Sequence, residues 1–79
     1  MSAQASDRVA RDLCETATLL LSMRTSLLNR LSVGAFGGED ALVLAAVEKA
    51  GALTDRCSLA LGGTPVVGSA EDWGNAKLW

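Results

Sequence analysis

The fold of this chain is decided by residues 7–31, DRVARDLCETATLLLSMRTSLLNRL, which contain neither glycine nor proline. Seven positions in this stretch recur at alternating intervals of three and four residues: Ala10, Leu13, Ala17, Leu20, Arg24, Leu27 and Leu31. This a/d pattern is typical of helices that pack against each other along a seam. Ser6 or Asp7 can cap the start, and Gly34 can adopt the left-handed conformation that often follows a helix. We therefore predict a helix over about residues 7–32.

A second helix is predicted over about residues 39–61. Its apolar positions also recur at intervals of three or four residues and form an alanine-rich stripe: Leu42, Ala46, Ala50, Leu53, Cys57 and Ala60. Glu39 and Asp40 lie in the first turn, where acidic side chains complement the helix dipole. Gly62 is a good helix stop. The small residues of the stripe indicate close packing against the first helix.

The connection between the two helices, residues 32–38, is short enough to favour antiparallel neighbours. The predicted fold class is therefore all-α, with a two-helix antiparallel hairpin in residues 1–61 and an irregular C-terminal tail in residues 62–79. Leu19 and Met23 extend the apolar face of the first helix beyond what one partner helix covers. Because exposed apolar patches usually mark an interface, we expect a homodimer that closes as a four-helix bundle.

Composition excludes several classes of partner. The chain has 79 residues, of which 49% are hydrophobic and 20% charged, so it is too apolar for a disordered tail. Seven basic against nine acidic residues give no electrostatic footprint for a nucleic acid. The longest unbroken apolar run, residues 41–47, is far below the roughly 20 residues of a membrane-spanning helix. Without a signal-peptide core either, we expect a soluble cytoplasmic protein with no membrane partner.

The residue types needed for catalysis are scarce. The chain has no His and no Tyr, and it offers no plausible pair of nucleophile and base. The glycine-rich stretch 34–38 lacks the Lys and Ser or Thr of a phosphate-binding loop. The neighbouring acids of residues 39–40 and 71–72 are typical of solvated helix starts. We therefore expect no enzyme activity, no catalytic residue, no cofactor and no metal.

Two cysteines lie at equal distances from the centre of the turn, Cys14 before it and Cys57 after it. In a hairpin without a register shift, they lie at the same level and face inward. One interpretation is a redox-sensitive thiol pair, since a disulfide here would close a long loop and stabilise the fold. The other is a pair of buried thiols that serve as small apolar fillers, as cysteine commonly does inside cells.

Arg24 is the one charged residue on the first seam. A charge there can fix the register or the oligomeric state at the expense of stability. We favour the simpler interpretation, in which its stem packs on the seam, its guanidinium reaches the edge and Glu48 provides a weak ion pair.

Both tryptophans of the chain, Trp73 and Trp79, follow the last predicted helix. Tryptophan is enriched at binding hot spots, so the tail is either a docking segment or a plug that folds back on the hairpin. The candidate partner-binding residues are thus Trp73, Trp79, Leu19 and Met23. These features favour a small non-enzymatic protein–protein interaction module, a dimeric adaptor, regulator or inhibitor of another protein. The alternatives are a structural subunit of a larger helical assembly and a small-ligand carrier that uses the bundle core.

Overall fold

The computed structural model of the chain describes residues 3–75. They form three helices, α1 (Ala3–Ser32), α2 (Gly38–Ala60) and α3 (Ala70–Asn75), and contain no strand. Helices α1 and α2 pack side by side as a hairpin, and α3 packs on α2. The molecule is a rod of 48 × 17 × 17 Å. The predicted all-α class and the two long helices are confirmed. Helix α1 is already helical at Ala3, so the predicted cap at Ser6 or Asp7 is wrong because both residues lie inside the helix. Helix α2 begins and ends one residue earlier than expected.

Both long helices end in the same hydrogen-bonded glycine cap. Gly34 has φ +76° and Gly62 has φ +82°, a left-handed conformation that only glycine adopts without strain. The residue after each glycine donates back across five residues, which is the Schellman arrangement. The bonds run from Ala35 N–H to Arg30 O (2.8 Å), Gly34 N–H to Leu31 O (3.2 Å), Gly63 N–H to Ser58 O (2.8 Å) and Gly62 N–H to Leu59 O (3.0 Å). The predicted roles of Gly34 and Gly62 as helix stops are confirmed.

One carboxylate, Asp40, connects the turn to both helices. Its Oδ2 accepts a hydrogen bond from the Gly37 N–H at 3.0 Å and lies 3.1 Å from the Arg30 guanidinium. The Gly37 hydrogen bond, helped by Arg30, holds the pKa of the Asp40 carboxyl below its ordinary value. The cap and the ion pair together fix the angle at which the chain enters α2.

The predicted seam of α1 is confirmed. Ala17, Arg24 and Leu27 are buried, and the other members are half-buried except Leu31, which lies near the turn and is exposed. At the turn end the seam closes into one apolar cluster. That cluster comprises Leu27, Leu44 and Val47, with Leu20, Leu28 and Phe36 packed against it.

The predicted stripe of α2 is wrong. Its members are exposed, apart from the half-buried Ala50. Helix α2 instead turns a different set of residues inward, which we call the inner stripe: Leu44, Val47, Gly51, Asp55 and Ser58. Gly51, Asp55 and Ser58 would be poor core residues in a two-helix hairpin, because they are small or polar. They are buried because the C-terminal segment supplies partners for them.

The tail is not wholly irregular, in contrast to the prediction. Residues 62–69 cross back over the hairpin and lead into α3. Ser69 and Asp72 cap this helix reciprocally: the Ser69 N–H donates to Asp72 Oδ2 (2.9 Å), and the Asp72 N–H donates to Ser69 Oγ (3.4 Å). This capping box, Ser-x-x-Asp, is a signal that the sequence itself carries.

Candidate interaction surfaces

Trp73 of α3 is inserted into the hairpin and has no exposed surface. The insertion depends on Gly51, because a Cβ at that position would lie 2.5 Å from three atoms of the indole ring. The indole N–H donates a hydrogen bond to Asp55 Oδ2 at 2.9 Å. Trp73 is thus a core residue, as the plug interpretation of the tail requires, and it presents no surface to a partner in this structure.

Asp55 holds the returning chain in place. Its carboxylate accepts hydrogen bonds of 2.9 Å from the backbone N–H groups of Val66, Val67 and Gly68, besides that of the Trp73 indole. Only 1% of Asp55 is exposed. Burial raises the pKa of this carboxyl, but the three backbone donors and the indole outweigh burial and lower it below its ordinary value. We call Gly51, Asp55 and Trp73 the tail clamp.

Arg24 does not reach the edge of the seam as expected. It is only 4% exposed, and its guanidinium lies 5.8 Å from the centroid of the Trp73 ring, within cation–π range. No ion pair joins it to Glu48 among residues 3–75, and the buried atoms Arg24 Nε and Glu48 Oε2 have no hydrogen-bond partner there. The predicted ion pair is therefore wrong: the indole takes the place that Glu48 was expected to fill.

Sequence reasoning missed Gly51 and Asp55, although one signal was present. A glycine isolated inside a helical pattern is costly and often has a packing reason, which here is the indole ring. Nothing local distinguishes Asp55 from a solvated acid. The other predicted tail residue, Trp79, lies outside the described residues.

Opposite the tail, the hairpin presents an apolar surface that nothing in residues 3–75 covers. The residues that face the partner helix are the seam on α1 and the inner stripe on α2, and both are called seam residues below. Two antiparallel helices are related by a two-fold axis normal to the plane that contains them. The positions just before the seam residues of both helices therefore lie on the same side of the hairpin. Such positions include Met23, before Arg24, and Val43 and Cys57, before Leu44 and Ser58. We call this surface the open face; its exposed apolar members are Val9, Leu19, Met23, Val43, Ala46 and Cys57, with Leu61 one turn after Cys57. The same rule places the exposed polar residues Asp12, Thr16, Ser26 and Arg30 on this face.

The predicted binding residues of α1 lie on the open face. Leu19 is 61% exposed and Met23 is 48% exposed. This exposure agrees with the prediction that they extend the apolar face of α1 beyond what one partner helix covers. Their contact with a partner stays a prediction.

The two cysteines are free and exposed. The expectation that both face inward is wrong, and so is the interpretation as buried apolar fillers. The reason differs for the two: Cys14 follows the seam residue Leu13, whereas Cys57 precedes the seam residue Ser58. By the geometry given above, the two thiols lie on opposite sides of the hairpin, with Cys57 on the open face.

A groove lies on the side of the hairpin opposite the open face, between α2 and the start of α3. This groove has a volume of about 340 Å³. Its lining comprises Lys49, Ala52, Leu53, Arg56, Leu59 and residues 68–70. The groove is mainly apolar and carries two cations but no acid.

The described residues restrict other chemistry. No group of three or more His, Cys, Asp or Glu side chains within residues 3–75 is placed to hold a metal ion. None of the three helices is both long and apolar enough to cross a membrane. Searches for relatives found no matching protein family, curated protein or solved structure.

Proposed function

We propose that this chain is a non-enzymatic protein–protein interaction module that acts as a cytoplasmic homodimer and regulates or bridges other proteins. The observation that supports this proposal is the open face, an apolar surface made by both long helices. Its occupant in the dimer is the open face of a second copy, which makes a four-helix bundle. Leu19 and Met23 are part of this interface.

The surface area supports self-association. The chain exposes 5211 Å², whereas a compact monomer of 8.2 kDa exposes about 4,500 Å² by the usual scaling with mass. The excess is close to the roughly 800 Å² that each partner buries in a standard interface. An area of that size is enough for a standard dimer interface on the open face.

The arrangement of charge supports the same face. The groove side carries Lys49 and Arg56. On α1 the charged residues of the open face, Asp12 and Arg30, lie on either side of Leu19 and Met23, and on α2 its positions 43, 46, 50, 54 and 57 carry no charge. Depletion of charge is the compositional feature of the buried centre of an interface.

Sedimentation equilibrium on matched variants tests the proposal. Met23→Glu and Val43→Glu each place a charge on the open face, and we expect them to convert a dimer into a monomer with unchanged helical content. Leu42→Glu is the control, because Leu42 is exposed on α2 away from that face. A wild-type monomer at about ten micromolar, where a submicromolar dimer would persist, would refute the proposal.

The same measurement separates the alternatives. Species that grow beyond a dimer with concentration would favour the structural subunit of a larger assembly. A small molecule that co-purifies with the native protein, found by mass spectrometry, would favour the ligand carrier. A dimer that survives both open-face substitutions would show that another surface joins the copies.

A further inference from the structure

We propose that the groove between α2 and α3 binds an acidic amphipathic helix of a partner protein. Apolar side chains of that helix fill the groove, and its carboxylates meet Lys49 and Arg56. This inference rests on the proposed function as an interaction module and names the chemistry of the partner. It uses a surface separate from the open face, so a dimer can bind on both of its outer sides.

The floor of the groove suits side chains of leucine type. Ala52, Leu53 and Leu59 provide the apolar lining. A cavity of about 150 Å³ holds one benzene molecule. The volume of about 340 Å³ therefore accommodates about two leucine-sized groups.

The charges that line the groove indicate that the binding surface of the partner is negatively charged. Lys49 and Arg56 are exposed, and neither forms an ion pair within residues 3–75. They are seven residues apart, which is two helical turns or about 10.5 Å along α2. A partner helix that lies along α2 therefore matches them with acids at positions i and i+7, and its leucines at i+3 and i+4 point between the two cations.

The wall opposite α2 is held in place before any partner arrives. Gly68 N–H donates to Asp55, and Ser69 N–H donates to Asp72, both at 2.9 Å. These bonds fix the backbone of residues 68–69 at the edge of the groove. A preorganised wall lowers the entropy that binding must overcome.

A synthetic helical peptide is the probe. It has about 15 residues, near the minimum for a helix in water, with Glu at i and i+7 and Leu at i+3 and i+4 in an alanine–glutamine background. A second peptide has Lys in place of both Glu residues. By fluorescence anisotropy, we expect the Glu peptide to bind the wild-type protein and the Lys peptide to bind at least about tenfold more weakly.

Charge reversal in the protein completes the test. In Lys49→Glu/Arg56→Glu the preference should invert, so that the Lys peptide binds better than the Glu peptide. Leu59→Gln should weaken both peptides, whereas Arg8→Glu, an exposed charge outside the groove, should change neither. A preference that does not follow the charges at 49 and 56 would overturn the proposal.

The test is independent of self-association. The charge-reversed protein should sediment as the wild type does, since neither residue lies on the open face. Failure of peptide binding with an intact dimer overturns the groove proposal alone. A monomeric wild-type protein that binds the Glu peptide in the predicted way overturns the dimer alone.

Discussion

The two stripes of α2 differ in burial, and the difference is opposite to what their composition suggests. The outer stripe is the set of α2 residues predicted from the sequence to face α1: Leu42, Ala46, Ala50, Leu53, Cys57 and Ala60. It is the more apolar of the two, yet it faces away from α1 and is mostly exposed. The inner stripe contains Gly51, Asp55 and Ser58, yet it is buried. The difference lies in the tail: an indole ring and three backbone N–H groups pack against the inner stripe and satisfy it. The outer stripe has no comparable partner in residues 3–75, although Leu53 lines the groove beside residues 68–70.

This comparison shows that burial in so small a protein depends on complementarity as much as on hydrophobicity. A buried carboxylate is costly unless donors surround it, and Asp55 has four. A gap at a helix surface is costly unless a side chain fills it, and Trp73 fills the one at Gly51. The outer stripe has no such partner within the described residues and stays mostly exposed.

The largest effect is expected from Trp73→Ala. Removing a fully buried indole opens a cavity and strips Asp55 of one donor, so we expect a loss of about 3–5 kcal/mol in the free energy of unfolding. Urea titration at fixed protein concentration measures it. In a Trp79→Phe background, the emission of Trp73 in the folded protein should be blue-shifted. An emission maximum equal to that of the unfolded chain would show that the clamp does not form.

Gly51→Ala sharpens the comparison because it adds a single methyl group to the inner stripe. The new Cβ would collide with the indole, and such overpacking lowers stability by about 1–3 kcal/mol. The matched control is Gly74→Ala, where a Cβ meets nothing within 4 Å. That change should stabilise α3 by up to about 1 kcal/mol, since alanine is the better helix former. Equal effects of the two substitutions would mean that the indole is not seated on Gly51.

Because of Asp55, the contribution of the tail clamp to the free energy of unfolding depends on pH. Because its pKa is lowered in the folded state, Asp55 stabilises the fold above the unfolded-state pKa of about 3.9. That contribution is lost as the pH falls through the lower, folded-state value. Asp55→Asn should remove about 1–3 kcal/mol at neutral pH, and the gap between variant and wild type should narrow in acid. A constant gap in urea titrations at each pH would contradict this assignment.

The smallest effect is expected on the outer stripe. Leu42 is 74% exposed and lies outside the open face, so Leu42→Ala should change stability by less than about 0.5 kcal/mol. Its inner counterpart Leu44, buried in the cluster near the turn, should lose about 2–5 kcal/mol on the same substitution. Similar losses at both positions would indicate that α2 is rotated relative to the structure described here.

Local patterns predicted a large part of the fold. The spacing of Ala10, Ala17 and Arg24 identified the seam of α1, and Gly34 and Gly62 identified both helix ends. These features depend on residues near in sequence. The orientation of α2 could not be obtained in this way, because it depends on Trp73, which lies 22 residues beyond Gly51.

The candidate surfaces were only partly predictable for the same reason. Leu19 and Met23 followed from an excess of apolar residues on α1. The groove did not, since its two walls come from α2 and from a tail that was expected to be irregular.

The two thiols offer the most direct test of the open face, because one lies on it and the other on the opposite side. Both Cys57 and Cys14 are exposed in the single chain, so a maleimide should label them readily at high dilution. The labelling rate of each, followed by mass spectrometry as protein concentration rises, is the measurement. We predict that Cys57 becomes protected as the copies associate while Cys14 keeps its rate. Protection of Cys14 instead, or constant rates at both thiols, would contradict the assignment of the open face as the dimer interface.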